Sequence, residues 1–155
     1  LLNESLNENF DNLHKLGVKI VIRGSIEKLD KSLKSKIINA QKKTLNNKSI
    51  SLVIAFDYGG RNEIVNTIKE IVKDDIKLSE INERLFNKYI NKDEIPDPDL
   101  IIRTGGEYRL SNFLIWQSAY SEFYTSEVLW PDFTISDFFD ALKSYSFRIR
   151  RFGAN

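Results

Sequence analysis

The stretch Ile50-Ser51-Leu52-Val53-Ile54-Ala55-Phe56, closed by Asp57-Tyr58-Gly59-Gly60, decides the fold class. A near-continuous apolar run of this length, rich in β-branched residues and ended by glycines, predicts a short buried strand. Directly behind it, Ile64, Val65, Ile68, Ile71 and Val72 recur on one helical face over residues 61–72. Ahead of it, residues 18–23 form a second β-branched run, and the lysine-rich stretch 29–45 between the two is amphipathic. Further upstream, Leu2, Leu6, Phe10, Leu13 and Leu16 step by three and four, predicting a helix that stops at Gly17. Downstream, a helix is expected over 78–90, ended by Pro96 and Pro98 before a third buried strand at Leu100-Ile101-Ile102. The last helix is expected to start near Thr134, with Asp137 completing a capping-box variant, and to run to Arg151. Strand and helix alternating in this order predict an α/β fold with a mostly parallel central sheet flanked by helices.

The 155 residues, 41% hydrophobic, suffice for one buried core and are too few for two comfortable ones, so a single domain is expected over 1–155. With 23 basic against 22 acidic residues there is no overall field to recruit nucleic acid, and an anionic ligand has to be caught by a local site. The absence of cysteine excludes disulfides and thiolate metal sites and suits a reducing cytosol. No run reaches the roughly 18 apolar residues of a membrane span, and no signal-peptide pattern opens the chain, so a soluble cytoplasmic protein is expected. The chain begins at Leu1 and contains no methionine, which raises the expectation that further sequence lies upstream.

In open parallel sheets, ligands bind beyond the carboxyl ends of the strands, which directs attention to Arg103-Thr104-Gly105-Gly106-Glu107-Tyr108-Arg109-Leu110-Ser111-Asn112. Arg103 and Arg109 flank a Gly-Gly turn, and Ser111 follows. Glycines let backbone amides approach a ligand, and guanidinium groups match phosphate oxygens in bidentate fashion, so the grouping suits a diphosphate. A plain turn with surface arginines has the same sequence. Neither the P-loop nor the dinucleotide fingerprint occurs. Glu122 lies in the apolar stretch Trp116-Gln117-Ser118-Ala119-Tyr120-Ser121-Glu122-Phe123 and calls for a cation, either an arginine in a structural pair or a hard metal such as magnesium. Arg148, Arg150 and Arg151 near the C-terminus either answer the dipole of the last helix or supply a guanidinium to an anion. His14, the one histidine, falls in the first helix as a solvated face residue.

Three stretches together resemble the cis-prenyltransferase family of the undecaprenyl diphosphate synthase type. They are Ile54-Ala55-Phe56-Asp57-Tyr58-Gly59-Gly60-Arg61, the run from Pro98-Asp99-Leu100 through Arg103-Thr104-Gly105-Gly106 to Asn112-Phe113-Leu114, and Val128-Leu129-Trp130-Pro131-Asp132-Phe133. Arg150-Arg151-Phe152-Gly153 follows in the matching order. The resemblance implies a homodimer of α/β subunits with a hydrophobic tunnel. It implies that Arg103, Arg109 and Ser111 bind the diphosphate of isopentenyl diphosphate and that Glu122 binds Mg2+. It further implies that Arg151 and Gly153, matching a terminal Arg-x-Gly, complete that site in the partner subunit. Tyr108 stands where members carry histidine or glutamine, and Asp57 where asparagine is usual. The family's Asp-Gly-Asn loop, which holds the allylic diphosphate and the catalytic aspartate, has no counterpart here, so that aspartate is expected upstream of Leu1. The chain is then the C-terminal portion of one catalytic domain, without transfer activity by itself.

The activity so implied condenses isopentenyl diphosphate onto an allylic diphosphate, farnesyl diphosphate being the expected primer. The product is a cis-polyprenyl diphosphate such as undecaprenyl diphosphate, delivered to the membrane by an enzyme that is cytoplasmic or peripheral at its surface. Two rivals are carried beside it. One is a non-catalytic accessory subunit of a cis-prenyltransferase, and the other is an unrelated α/β enzyme acting on a phosphorylated metabolite. Product length and primer are not written in these residues.

Overall fold

The computed structural model describes residues 11–149. The chain divides into two compact units, Leu1–Ile95 and Pro96–Asn155. In the first, strand β1 (Val18–Gly24) pairs in parallel with β2 (Ile50–Phe56), with Val18 opposite Ile50 and Gly24 opposite Phe56. The crossover between them is helix α1 (Lys31–Thr44), which starts where the Asp30 side chain accepts from the Leu33 amide at 3.0 Å. Its inner face buries Ile37, Ala40 and Thr44. The fully buried Thr44 hydroxyl donates to the Ala40 carbonyl at 2.7 Å and accepts from the Ile20 amide at 3.1 Å, which fastens α1 to β1 without leaving a polar atom unpaired. Val18, Ile20 and Val21 of β1 join Ile37, Ala40, Ile71 and Ile90 in the core.

Helix α2 (Gly60–Lys73) and helix α3 (Glu83–Ile90) complete this unit. The continuous helix expected over 78–90 is instead a short 3-10 turn, Leu78–Glu80, and then α3. The break has a local cause: the Asn82 side chain accepts from the Leu85 amide at 3.0 Å and so starts a new helix behind itself. The burial expected of both strands holds for β1 alone. Ile50 and Leu52 of β2 are 63% and 40% exposed, and α1 packs on β1.

In the second unit, β3 (Leu100–Thr104) pairs in parallel with β4 (Glu122–Ser126), Leu100 opposite Glu122 and Thr104 opposite Ser126. Helix α4 (Ile135–Ser146) packs on β4 and buries Ala141 completely. Thr134 caps it as expected, in a capping box with Asp137. The helix stops at Ser146, short of the expected Arg151. Among the described residues the sheet therefore consists of two parallel pairs, one in each unit, with helices packed on them. Of the first expected helix, residues 11–16 are described; residues 11–15 are helical and Leu16 already belongs to the turn that Gly17 completes. Arg151 and Gly153 lie outside the described residues. No helix among those described is long and apolar enough to cross a membrane.

Candidate functional site

The site is built on the carboxyl end of the β3–β4 pair. Gly105 and Gly106 follow β3 with φ of +87° and +73°, a left-handed conformation that glycine enters without steric cost. The Gly105 amide donates to the Val128 carbonyl and the Gly106 amide to the Ser126 carbonyl, each at 2.9 Å. The turn is thus riveted to the end of β4, and both amides are spent on protein. The notion that they cradle a ligand gives way to a structural one: the glycines aim the loop, and the side chains beyond them face the ligand.

Arg103, the fourth residue of β3, reaches across the loop that follows. One nitrogen of its guanidinium donates to the Ser111 hydroxyl at 3.0 Å and to the Arg109 carbonyl. The Arg109 guanidinium pairs with the Glu107 carboxylate, both side chains being largely open to solvent. Ser111, Asn112 and Leu114 hold φ of +48°, +65° and +44°, a cluster of left-handed non-glycine residues of the kind that gathers where a binding loop is held in shape.

Arg103, Glu107, Arg109 and Ser111 border a cavity of about 420 Å³, whose remaining wall is largely apolar and includes Ile101, Phe113 and Phe123. The strand register explains its make-up. Ile101 lies opposite Phe123 and Arg103 opposite Thr125, so these four side chains share one face of the pair. Three of the expected residues, Arg103, Arg109 and Ser111, therefore meet at one cavity. Tyr108 stands at its rim, 81% exposed.

Glu122 is not brought into that cavity. Strand alternation turns it to the face opposite Phe123, and its carboxylate accepts from the Arg148 guanidinium at 2.7 Å. Of the two cations anticipated for Glu122, the arginine is the one found. Among the described residues no group of three or more histidine, cysteine, aspartate and glutamate side chains stands together, and the Glu122 carboxylate, on the face away from Phe123, pairs with Arg148. Sequence reasoning missed β4 itself, Arg148 as the partner of Glu122, and the aromatic wall. The period-two order Glu122-Phe123-Tyr124-Thr125-Ser126 was the available signal.

A smaller cleft of about 170 Å³ occupies the corresponding strand ends of the first unit and is lined by Ser25, Asp57, Tyr58, Asn62 and Glu63 among others. Asp57 adopts φ +42° and pairs with Lys28 at 2.8 Å, and that hydrogen bond, then the carboxylate charge, raises the Lys28 ammonium above its usual range. Arg23 and Glu63, both nearly buried, pair at 3.6 Å, and the Tyr58 hydroxyl donates to Glu63 at 2.6 Å.

A parallel α/β unit that gathers two arginines and a serine at its strand ends has the chemistry to take a phosphate ester, and comparison with known proteins narrows the class. Residues 1–153 match the prenyltransferase family described as undecaprenyl diphosphate synthase, and the chain belongs to that family. The isoprenyl transferase of Clostridium perfringens (strain 13 / Type A) is 45% identical over 99% of this chain and 62% of its own length. A tritrans,polycis-undecaprenyl-diphosphate synthase (geranylgeranyl-diphosphate specific) of Picrophilus torridus is 44% identical over 94% of this chain and 58% of its own. Lavandulyl diphosphate synthase from Lavandula x intermedia, solved in complex with dimethylallyl diphosphate, superposes with a TM-score of 0.90 at 31% identity, covering 98% of this chain and 68% of that one. The chain spans about three fifths of the length of the Clostridium relative, 62%.

Proposed function

We propose that the protein carrying this chain is a cis-prenyltransferase that extends an allylic diphosphate with isopentenyl diphosphate. The observation that carries the reading is the meeting of Arg103, Arg109 and Ser111 at one largely apolar cavity. In the proposed reaction the double bond of isopentenyl diphosphate attacks C1 of the allylic substrate. A carbon–carbon bond forms as the allylic carbon–oxygen bond breaks, diphosphate leaves, and a proton lost from the isopentenyl unit restores a double bond in cis geometry. The residues of this chain act on the isopentenyl partner. Arg109 and Ser111 hold its diphosphate, Arg103 keeps the loop in register beneath them, and the apolar wall excludes water from a site where charge interactions gain strength as water leaves.

Farnesyl diphosphate is the proposed primer and a membrane lipid carrier such as undecaprenyl diphosphate the proposed product, released by a cytoplasmic homodimer in which Arg151 and Gly153 of one subunit complete the other's site. Magnesium belongs to this proposal as the companion cation of the diphosphates, with Glu122 as its proposed carboxylate ligand, since magnesium is held by one or two carboxylates together with substrate phosphates rather than by an all-protein cage. The test is isopentenyl diphosphate binding by the full-length protein, followed calorimetrically, together with turnover on farnesyl diphosphate. Arg109→Ala should weaken isopentenyl diphosphate by about 1.5–3 kcal/mol, the scale of a lost charged hydrogen bond. An unchanged affinity removes the assignment, and binding without turnover moves the protein to the accessory-subunit reading.

A further inference from the structure

The amino-terminal end of the β1–β2 pair, opposite the cleft that Asp57 and Tyr58 line, carries a surface with no part in the chemistry described above. The loop that follows α1 folds onto the turn that precedes β1. The Ser49 amide donates to the Gly17 carbonyl at 3.0 Å, and the Asn47 side chain donates to the Val18 carbonyl at 2.8 Å. These bonds bring residues 12–18 and 42–50 together. The two segments hold four lysines, Lys15, Lys42, Lys43 and Lys48, and no carboxylate, in a chain whose net charge is only +1. All four lysines are exposed. Between these charges two leucines face solvent, Leu16 at 68% exposure and Leu45, which caps α1, at 62%. Lys15, Lys42 and Lys43 close helices, where the dipole alone would account for them. Lys48 lies in the loop, and a dipole calls for no exposed leucine.

We propose that this end of the first unit docks on an anionic lipid bilayer, the lysines meeting headgroup phosphates while Leu16 and Leu45 enter the boundary of the acyl chains. Ammonium groups set around exposed leucines suit such a surface, because the charges are drawn to the anionic leaflet and the apolar side chains leave water on contact. A lysine stem lies along apolar surface and keeps its head among the phosphates. Other occupants fit less well. A second copy of the chain across a two-fold axis would set the same lysines against one another. A polypeptide cover would have to take four ammonium groups out of water. The phosphate backbone of a nucleic acid answers the lysines and offers nothing to the leucines. The proposal rests on the first unit alone and does not depend on what the cavity beside β3 binds.

The test is sedimentation of the full-length protein with vesicles of phosphatidylcholine alone and with vesicles in which phosphatidylglycerol makes up about a third of the lipid. Wild type should bind the anionic vesicles about tenfold or more tighter than the neutral ones, and should release them as salt is raised. The paired variants Lys42→Gln with Lys43→Gln, and Lys15→Gln with Lys48→Gln, should each weaken that binding about tenfold, and Leu45→Ser about threefold. Unchanged thermal midpoints report that the variants are folded, and Leu16→Ser takes the place of Leu45→Ser if the latter is not. Wild type that ignores the anionic vesicles, or lysine variants that bind them as wild type does, overturns the proposal. Leucine variants that bind as wild type does reduce the contact to general charge attraction and overturn it too, as does tighter binding to duplex RNA than to the anionic vesicles. Isopentenyl diphosphate binding in lipid-free solution should be the same in wild type and all variants, so failure here is distinct from failure of the diphosphate reading.

Discussion

The Arg103 guanidinium donates to the Ser111 hydroxyl at 3.0 Å, bridging eight positions of chain, and the same nitrogen also meets the Arg109 carbonyl. The two arginines at the cavity therefore have different tasks: Arg103 is spent on shaping the loop, and Arg109 projects from the loop so shaped. Arg103→Ala should lower the thermal midpoint and raise the KM for isopentenyl diphosphate together, whereas Arg109→Ala should raise KM by tenfold or more with the midpoint unchanged. Arg103→Lys should fall near Arg103→Ala, since an ammonium lacks the planar fork that spans both acceptors. A melting curve of Arg103→Ala that overlays wild type would refute this division.

Gly106 makes a separate prediction. Its φ is +73°, and a Cβ there would stand 2.6 Å from a Glu127 carboxylate oxygen. Gly106→Ala should cost about 1–2 kcal/mol from the left-handed backbone alone, measured by denaturant unfolding. Gly106→Ala with Glu127→Ala should recover only the part due to the clash. Full recovery in the double variant would show that the backbone conformation is not the constraint.

The pair formed by Glu122 and Arg148 is partly open, at 27% and 34% side-chain exposure, so solvent screens it. A double-mutant cycle with Glu122→Gln and Arg148→Gln should give a coupling of about 0.2–1 kcal/mol, shrinking in high salt. The same variants discriminate the metal: a magnesium requirement that rises in Glu122→Gln and not in Arg148→Gln would assign the carboxylate to the ion, and a zero coupling would remove the pair.

What could be read in the sequence beforehand follows the strength of its local signals. Residues 50–56, interrupted only by Ser51, and 18–23, interrupted by Lys19 and Arg23, are dominated by apolar and β-branched residues, and their strands were found to within a residue. Thr134 and Asp137 announce a helix start through reciprocal hydrogen bonds that need no tertiary context. The family resemblance brought Arg103, Arg109 and Ser111 forward, and the fold brings them to one cavity. β4 escaped because Glu122-Phe123-Tyr124-Thr125-Ser126 mixes polar and apolar residues, and its meaning lies in phase rather than composition. A side chain's face is fixed only once β4 is set in register against β3, and that register alone separates Glu122 from Phe123. The partner of Glu122 lies 26 positions away, past a whole helix, beyond the reach of local pattern.

The last prediction concerns acid. Asp137 accepts from the Thr134 hydroxyl at 2.6 Å and from the Thr134 amide at 2.7 Å, and these bonds, the hydroxyl's foremost, hold its carboxyl below the ordinary value of 3.8. Hydrogen bonds to the charged form favour ionisation, and the first turn of α4 favours a negative charge in addition. In the unfolded chain the group returns to its ordinary value. Its contribution to stability is therefore fully present above that value, declines as pH falls through the lower folded value, and vanishes once the group is protonated in both states. Asp137→Asn keeps an acceptor for the cap and removes the titration. The thermal midpoint of wild type should exceed that of Asp137→Asn near neutrality, and the gap should narrow on acidification below 3.8. Thr134→Ala removes both the hydroxyl donor and the cap acceptor, and should lower stability by about 1 kcal/mol near neutrality. Wild-type and Asp137→Asn midpoints that run parallel through the acid range would show that the capping box does not carry the charge dependence assigned to it.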